Sequence, residues 1–114
     1  MLFRSFTDPQ VGRVGMTERE AKDAGKDYTV ASYEMKVNGR ARAARHKEGC
    51  IKVVIDKDTD KLLGAAVFAA EGAEMVHAYI ALMNADAPYT AILNGLHVHP
   101  TYSEGLQSVF KGLD

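Results

Sequence analysis

Cys50 to Ala70 reads CIKVVIDKDTDKLLGAAVFAA. Two apolar runs, Ile51 to Ile55 and Leu62 to Ala70, flank the polar connection Asp56-Lys57-Asp58-Thr59-Asp60-Lys61. Ile51, Val53, Val54 and Ile55 are β-branched, which suits a pleated strand, and apolar residues fall on both faces near its middle. So short a polar loop between two strand-like runs predicts a β-hairpin. The rest of the fold is read outward from it.

Upstream, Tyr28 to Val37 (YTVASYEMKV) alternates β-branched or aromatic residues with polar ones and predicts a further strand, ended by the Asn38-Gly39 turn signal. Arg40 to His46 (RARAARH) is Ala-rich and basic, a candidate single helical turn. Thr17-Glu18-Arg19-Glu20 has the spacing of a capping box, and Gly25 is placed to stop the helix that follows. Val11 and Val14, interrupted by Gly12 and Gly15, predict a short irregular strand, and Met1 to Pro9 an irregular lead-in.

Downstream the period changes. Met75, Val76, Tyr79, Ile80, Leu82 and Met83 share one face of a helix over Glu71 to Ala85. Pro88 ends it; a shorter helix follows from Tyr89 to Leu93 and closes near Gly95. His97 to Pro100 reads as extended or loop, and Thr101 to Phe110 as a last helix. Strands early and helices late place the chain in the α+β class, an antiparallel β-sheet with helices packed on one face.

The 114 residues suit a single domain, 1–114, with one real core. Fourteen Lys plus Arg balance fifteen Asp plus Glu, so no long-range field favours nucleic acid or an anionic membrane. The longest apolar run, Leu62 to Ala70, is far short of the roughly 20 residues that span a bilayer. Arg4 and Asp8 break up any signal-peptide core, and the single cysteine, Cys50, fits a reducing compartment. A cytoplasmic location is the expectation. Cys50 lies among strand residues and reads as a buried, inert thiol; alone it makes no dithiol centre. Met16, Met35, Met75 and Met83 read as core filling, and His46 and His77 as surface and helix-face histidines. The run Arg40, Arg42, Arg45, His46, Lys47 has no interleaved aromatics and reads as a solvated or anion-facing surface. No glycine-rich nucleotide loop is present.

His97 to Glu104, HVHPTYSE, holds the residues suited to chemistry. His97 and His99, two apart in extended chain, point to one side as metal ligands would, with His77 and Glu104 as the further candidates. No Cys or Asp stands nearby at ligand spacing, and no metal is assigned. The other chemistry is a histidine–carboxylate pair: His99 moves a proton near neutral pH, and Glu104 fixes its tautomer. Thr101 to Glu104 also has capping-box spacing, an alternative account of Glu104.

Several blocks stand in a familiar order: FTDPQVGRVGMTEREA (Phe6 to Ala21), ARA (Ala41 to Ala43), GCIKVVIDKDTDKLLGA (Gly49 to Ala65), EMVHAYIALM (Glu74 to Met83) and HVHPTYSE. Together they resemble the C-terminal dimerisation, or interface, domain of the flavin-dependent pyridine nucleotide–disulfide oxidoreductases. Dihydrolipoamide dehydrogenase, glutathione reductase and mercuric reductase are members. The resemblance implies a homodimer, with FAD and NAD(P) domains upstream that this sequence lacks. FAD and NAD(P)H are thus cofactors of the full-length enzyme, and this domain alone is expected to be colourless and inactive. It further implies that His99 and Glu104 form an acid/base pair serving the other subunit's active site, with the backbone at His99 and Pro100 against that subunit's flavin. Mercuric reductases generally lack this histidine and end in a cysteine pair, whereas this sequence has His99 and closes on Leu113-Asp114. A stand-alone homodimeric interaction module of the same fold and a small histidine-based metal-binding protein are the other readings.

Overall fold

In the computed structural model the described residues are 2–5, 10–38, 49–69, 71–95, 103–111 and 113. Among the described residues five strands form one sheet: β1 (Leu2–Ser5), β2 (Gln10–Gly15), β3 (Tyr28–Glu34), β4 (Cys50–Asp56) and β5 (Leu62–Ala69). Their order is β1-β2-β5-β4-β3, every pairing antiparallel. The α-helices among the described residues are α1 (Glu18–Asp23), α2 (Gly72–Asn84), α3 (Thr90–Leu93) and α4 (Glu104–Ser108). No helix among the described residues is long and apolar enough to cross a membrane.

The β4–β5 hairpin forms as expected, and the strand order places it inside the sheet. Its loop is closed by the Asp56 carboxylate, which accepts from the amides of Asp58 at 2.8 Å and Thr59 at 3.3 Å. Val54 pairs with Gly64 and Ile55 with Leu62, so Leu63 is an extra residue that bulges β5. Beyond the bulge, alternation sends Ile51, Val53, Ala65 and Val67 to one face, where Met75, Val76 and Tyr79 of α2 cover them. The later helices lie on this same side: Leu106, Val109 and Phe110 join the core. The face is apolar because period 2 in the strands and period 3.6 in α2 aim their buried sets at each other.

The other face is partly covered. The Met16 amide donates to the Leu63 carbonyl at 2.9 Å, and α1 follows, tied by an exposed ion pair from Lys52 Nζ to Glu18 Oε1 at 3.0 Å. Val54 turns outward yet is buried, beside Met16 and Thr17. The Thr17–Glu20 capping box forms in both directions. Gly25 follows with φ of +71°, the left-handed turn expected of it.

Three expectations are corrected. The lead-in is not wholly irregular: Leu2 to Ser5 pair with Val14 to Val11, because a neighbouring strand satisfies backbone groups that local sequence cannot. β2 is a regular strand between β1 and β5; Gly12 is an asset there, since a Cβ would stand 2.8 Å from the Gly72 carbonyl oxygen and from Val76 Cγ1 of α2. β3 ends at Glu34, and Met35 to Val37 form a 3₁₀ turn that buries Met35. The basic run Arg40 to Lys47 lies outside the described residues.

Candidate functional site

Glu104 opens α4 and is half-buried. Three contacts fix that short helix. Gly105 faces β3 and β4: a Cβ there would meet Ile51 Cδ1 at 3.0 Å and Tyr33 Cε2 at 3.1 Å, so glycine lets the helix lie close to the sheet. The Tyr79 hydroxyl of α2 donates to the Leu106 carbonyl at 3.0 Å. Gln107 Nε2 donates to the carbonyls of Leu93 at 2.8 Å and Gly95 at 3.1 Å.

Aromatic packing reinforces the middle contact. The Phe110 ring stacks on Tyr89, centroids 5.0 Å apart, and meets Tyr79 edge-on at 6.0 Å. Past Leu106 the chain tightens: the Val109 amide takes the Gly105 carbonyl and the Phe110 amide takes that of Gln107. The Leu106 carbonyl points instead at the phenol. Burial pushes the Tyr79 hydroxyl well above its ordinary value of 10.0, since a phenolate would be desolvated there.

A raised folded-state value means that its stabilising contribution is complete below about pH 10 and is lost as pH climbs toward the folded-state value. Tyr79→Phe is expected to cost about 1–3 kcal/mol at pH 7 by leaving the Leu106 carbonyl without its donor. The deficit relative to wild type should shrink at pH 11, by no more than the single-proton limit of about 1.4 kcal/mol per pH unit above 10. Denaturant midpoints of both proteins at the two pH values check this; a pH-independent difference contradicts it.

Of the residues singled out in the sequence, Glu104 is placed and His97, His99 and Pro100 lie outside the described residues. Ser103 stands at the N-cap of α4, so Glu104 is the helix's first residue and not the third after a cap. Thr101, the expected cap, lies outside the described residues. His77 is exposed on α2, while Met35 and Met75 fill the core. Cys50 is corrected: it is exposed, because strand alternation turns Cys50 and Lys52 away from α2 while Ile51 and Val53 turn in. Among the described residues no three of His, Cys, Asp or Glu gather as a metal site would.

The sequence places Tyr79 only on the apolar face of a helix and gives Gln107 no role. A tyrosine on the apolar face of a helix is a signal, because its buried hydroxyl needs an acceptor. Gln107 offered none.

The family model described as pyridine nucleotide-disulphide oxidoreductase, dimerisation domain, matches residues 4–110. The chain is 38% identical over 102 residues to dihydrolipoyl dehydrogenase 1, mitochondrial, of Arabidopsis thaliana, covering 90% of this chain and 20% of that protein. It is 32% identical over 106 residues to the probable pyridine nucleotide-disulfide oxidoreductase RclA of Escherichia coli, covering 93% of this chain and 24% of that one. The solved structure of RclA, titled an HOCl-induced flavoprotein disulfide reductase, superposes with a TM-score of 0.95 at 30% identity, over 100% of this chain and 26% of its own. The chain thus spans about a fifth to a quarter of the length of these relatives.

Proposed function

The chain belongs to the pyridine nucleotide-disulphide oxidoreductase dimerisation-domain family, and on that premise we propose that it is the C-terminal interface domain of a cytoplasmic, homodimeric, FAD- and NAD(P)H-dependent disulfide oxidoreductase. The observation that carries this reading is the family match over residues 4–110. The α+β sheet with α2 against one face supports it, and so does the superposition on RclA.

In this proposal His99 and Glu104 supply an acid/base pair to the other subunit. A neutral imidazole at His99 takes the proton of a substrate thiol as that thiol attacks a disulfide; the resulting thiolate forms the new S–S bond and the displaced sulfur leaves as thiolate. Run in reverse, the imidazolium returns the proton. Glu104 orients the ring and stabilises the cation. The clamped α4 supports this role, since a carboxylate that orients a base needs a fixed backbone. Flavin and nicotinamide, when bound, carry the electron pair between NAD(P)H and the disulfide. Their nucleotide sites belong to the proposed upstream domains, and this chain's part is confined to His99 and Pro100 beside the flavin.

Isolation of the native protein through an antibody to this domain tests the assignment. The expected result is a yellow protein several times heavier than 12.4 kDa, sedimenting as a dimer and showing a flavin absorption spectrum. A colourless species of 12.4 kDa would overturn the enzyme reading in favour of an interaction module.

A further inference from the structure

The sheet face turned away from α2 is covered at one end only. Met16 and α1 lie over the Gly64 end, where Val54 is buried. Toward the other end of β5, Phe68 is 41% exposed and Cys50 beside it is exposed as well. Register sets these side chains in one row: Val11 of β2 pairs with Phe68, and Phe68 with Cys50 of β4. Arg13, Ala66 and Lys52 form the next row. An antiparallel sheet can face water on one side, but it then carries polar residues there. Here the central strand of five presents Ala66 and Phe68 instead. A contiguous exposed apolar patch of this kind marks a contact surface.

The charges around the patch are uneven. Lys52 is paired with Glu18 at 3.0 Å, and Glu34, opposite Cys50, holds Lys36 at 2.9 Å. Arg13 is half-buried and has no ion pair or hydrogen bond among the described residues. It borders a cavity of about 170 Å³ lined also by Met16, Lys52, Val54 and Ala66, room enough for an incoming side chain. A guanidinium held partly out of water beside apolar surface suits a carboxylate, which its planar fork binds through two parallel hydrogen bonds.

We propose that the Val11–Phe68–Cys50 row and Arg13 are the surface on which the upstream domains of the same subunit pack, bringing an apolar side chain to Phe68 and a carboxylate to Arg13. The proposal rests on the reading above that the chain is one domain of a longer protein, and the chain spans only about a fifth to a quarter of its relatives' length. A second copy of this chain fits the surface less well. An isologous contact sets the patch against itself, so it would bury two Arg13 guanidiniums. The nearby carboxylates of Glu18 and Glu34 are already taken by lysines.

Two measurements on the full-length protein test this. Alkylation of Cys50 by iodoacetamide, followed by peptide mass spectrometry, should be roughly tenfold or more slower in the native protein than in denaturant. Arg13→Glu, which sets like charges together, should bring back most of that rate. In Arg13→Lys, carbodiimide should couple position 13 to a carboxylate of an upstream peptide, in a product of single-subunit mass on a denaturing gel.

Native Cys50 reacting as fast as in denaturant would overturn the proposal. A covalent dimer through position 13 would also overturn it, by placing another subunit on this face. Protection of Cys50 that Arg13→Glu leaves unchanged, with no coupling at position 13, would remove the carboxylate and overturn it too. Should Arg13→Glu fail to fold, the coupling of Arg13→Lys decides alone. Failure of the parent reading looks different: the native protein would then be a colourless 12.4 kDa species with no upstream peptide to couple.

Discussion

His99→Ala in the full-length protein is expected to slow disulfide turnover by roughly 10²–10⁴-fold while flavin stays bound and the dimer intact. That range is what a positioned acid/base group contributes, and histidine is the side chain whose ordinary ionisation lies near working pH. Without the imidazole, the thiol proton must go to water, and the thiolate needed for exchange becomes scarce below the thiol's own ionisation. Replacement of Glu104 by glutamine should give a smaller loss, because the amide can still orient the ring but cannot stabilise the imidazolium. Stopped-flow reduction by NAD(P)H separates the steps: flavin reduction should keep its wild-type rate while the disulfide step slows. Unchanged disulfide turnover in His99→Ala would end the acid/base assignment.

Gly64→Ala is expected to destabilise the fold by about 3 kcal/mol or more, near the upper end for overpacking. A Cβ at this position would lie 1.9 Å from the Met16 carbonyl oxygen and 2.6 Å from its amide nitrogen. Both are backbone atoms, so no rotamer change relieves the clash. Neither strand can retreat easily: Gly64 pairs with Gly15 and Val54, and the Met16 amide is held by the Leu63 carbonyl. Gly25→Ala is the control. Gly25 has a φ of +71°, but a Cβ there meets nothing within 4 Å, so only the backbone preference of about 1–2 kcal/mol is lost. Thermal or denaturant melting of the two variants should separate them clearly, and equal losses would show that close approach of Met16 is not what requires glycine at 64.

Much of this fold is legible locally. The hairpin follows from two β-branched or apolar runs about a polar loop, and α2 from apolar residues at helical spacing. The α1 start follows from Thr17 and Glu20, whose reciprocal bonds lie within a single turn. In each case the stabilising partners are neighbours in sequence, so residue type and spacing suffice. Glu104 likewise stood out from its motif, although its place as first residue of α4 did not.

The misreadings share one cause: the deciding partner is distant in sequence. Leu2 to Ser5 becomes a strand because β2 offers it a ladder. Gly12 looks like a strand breaker until α2 is seen resting on it, and Cys50 looks buried until register turns it outward beside Glu34 and Phe68. What the amino-acid sequence determined by itself is the α+β class, the hairpin, the helix boundaries set by caps, and the motif carrying His99 and Glu104. What tertiary structure alone decided is which sheet face is covered, which glycines are indispensable, and how Tyr79 and Gln107 clamp the helix of Glu104. Hydrophobic period and capping are short-range properties of the chain, whereas close backbone approach and a buried hydroxyl's acceptor exist only once remote segments have met.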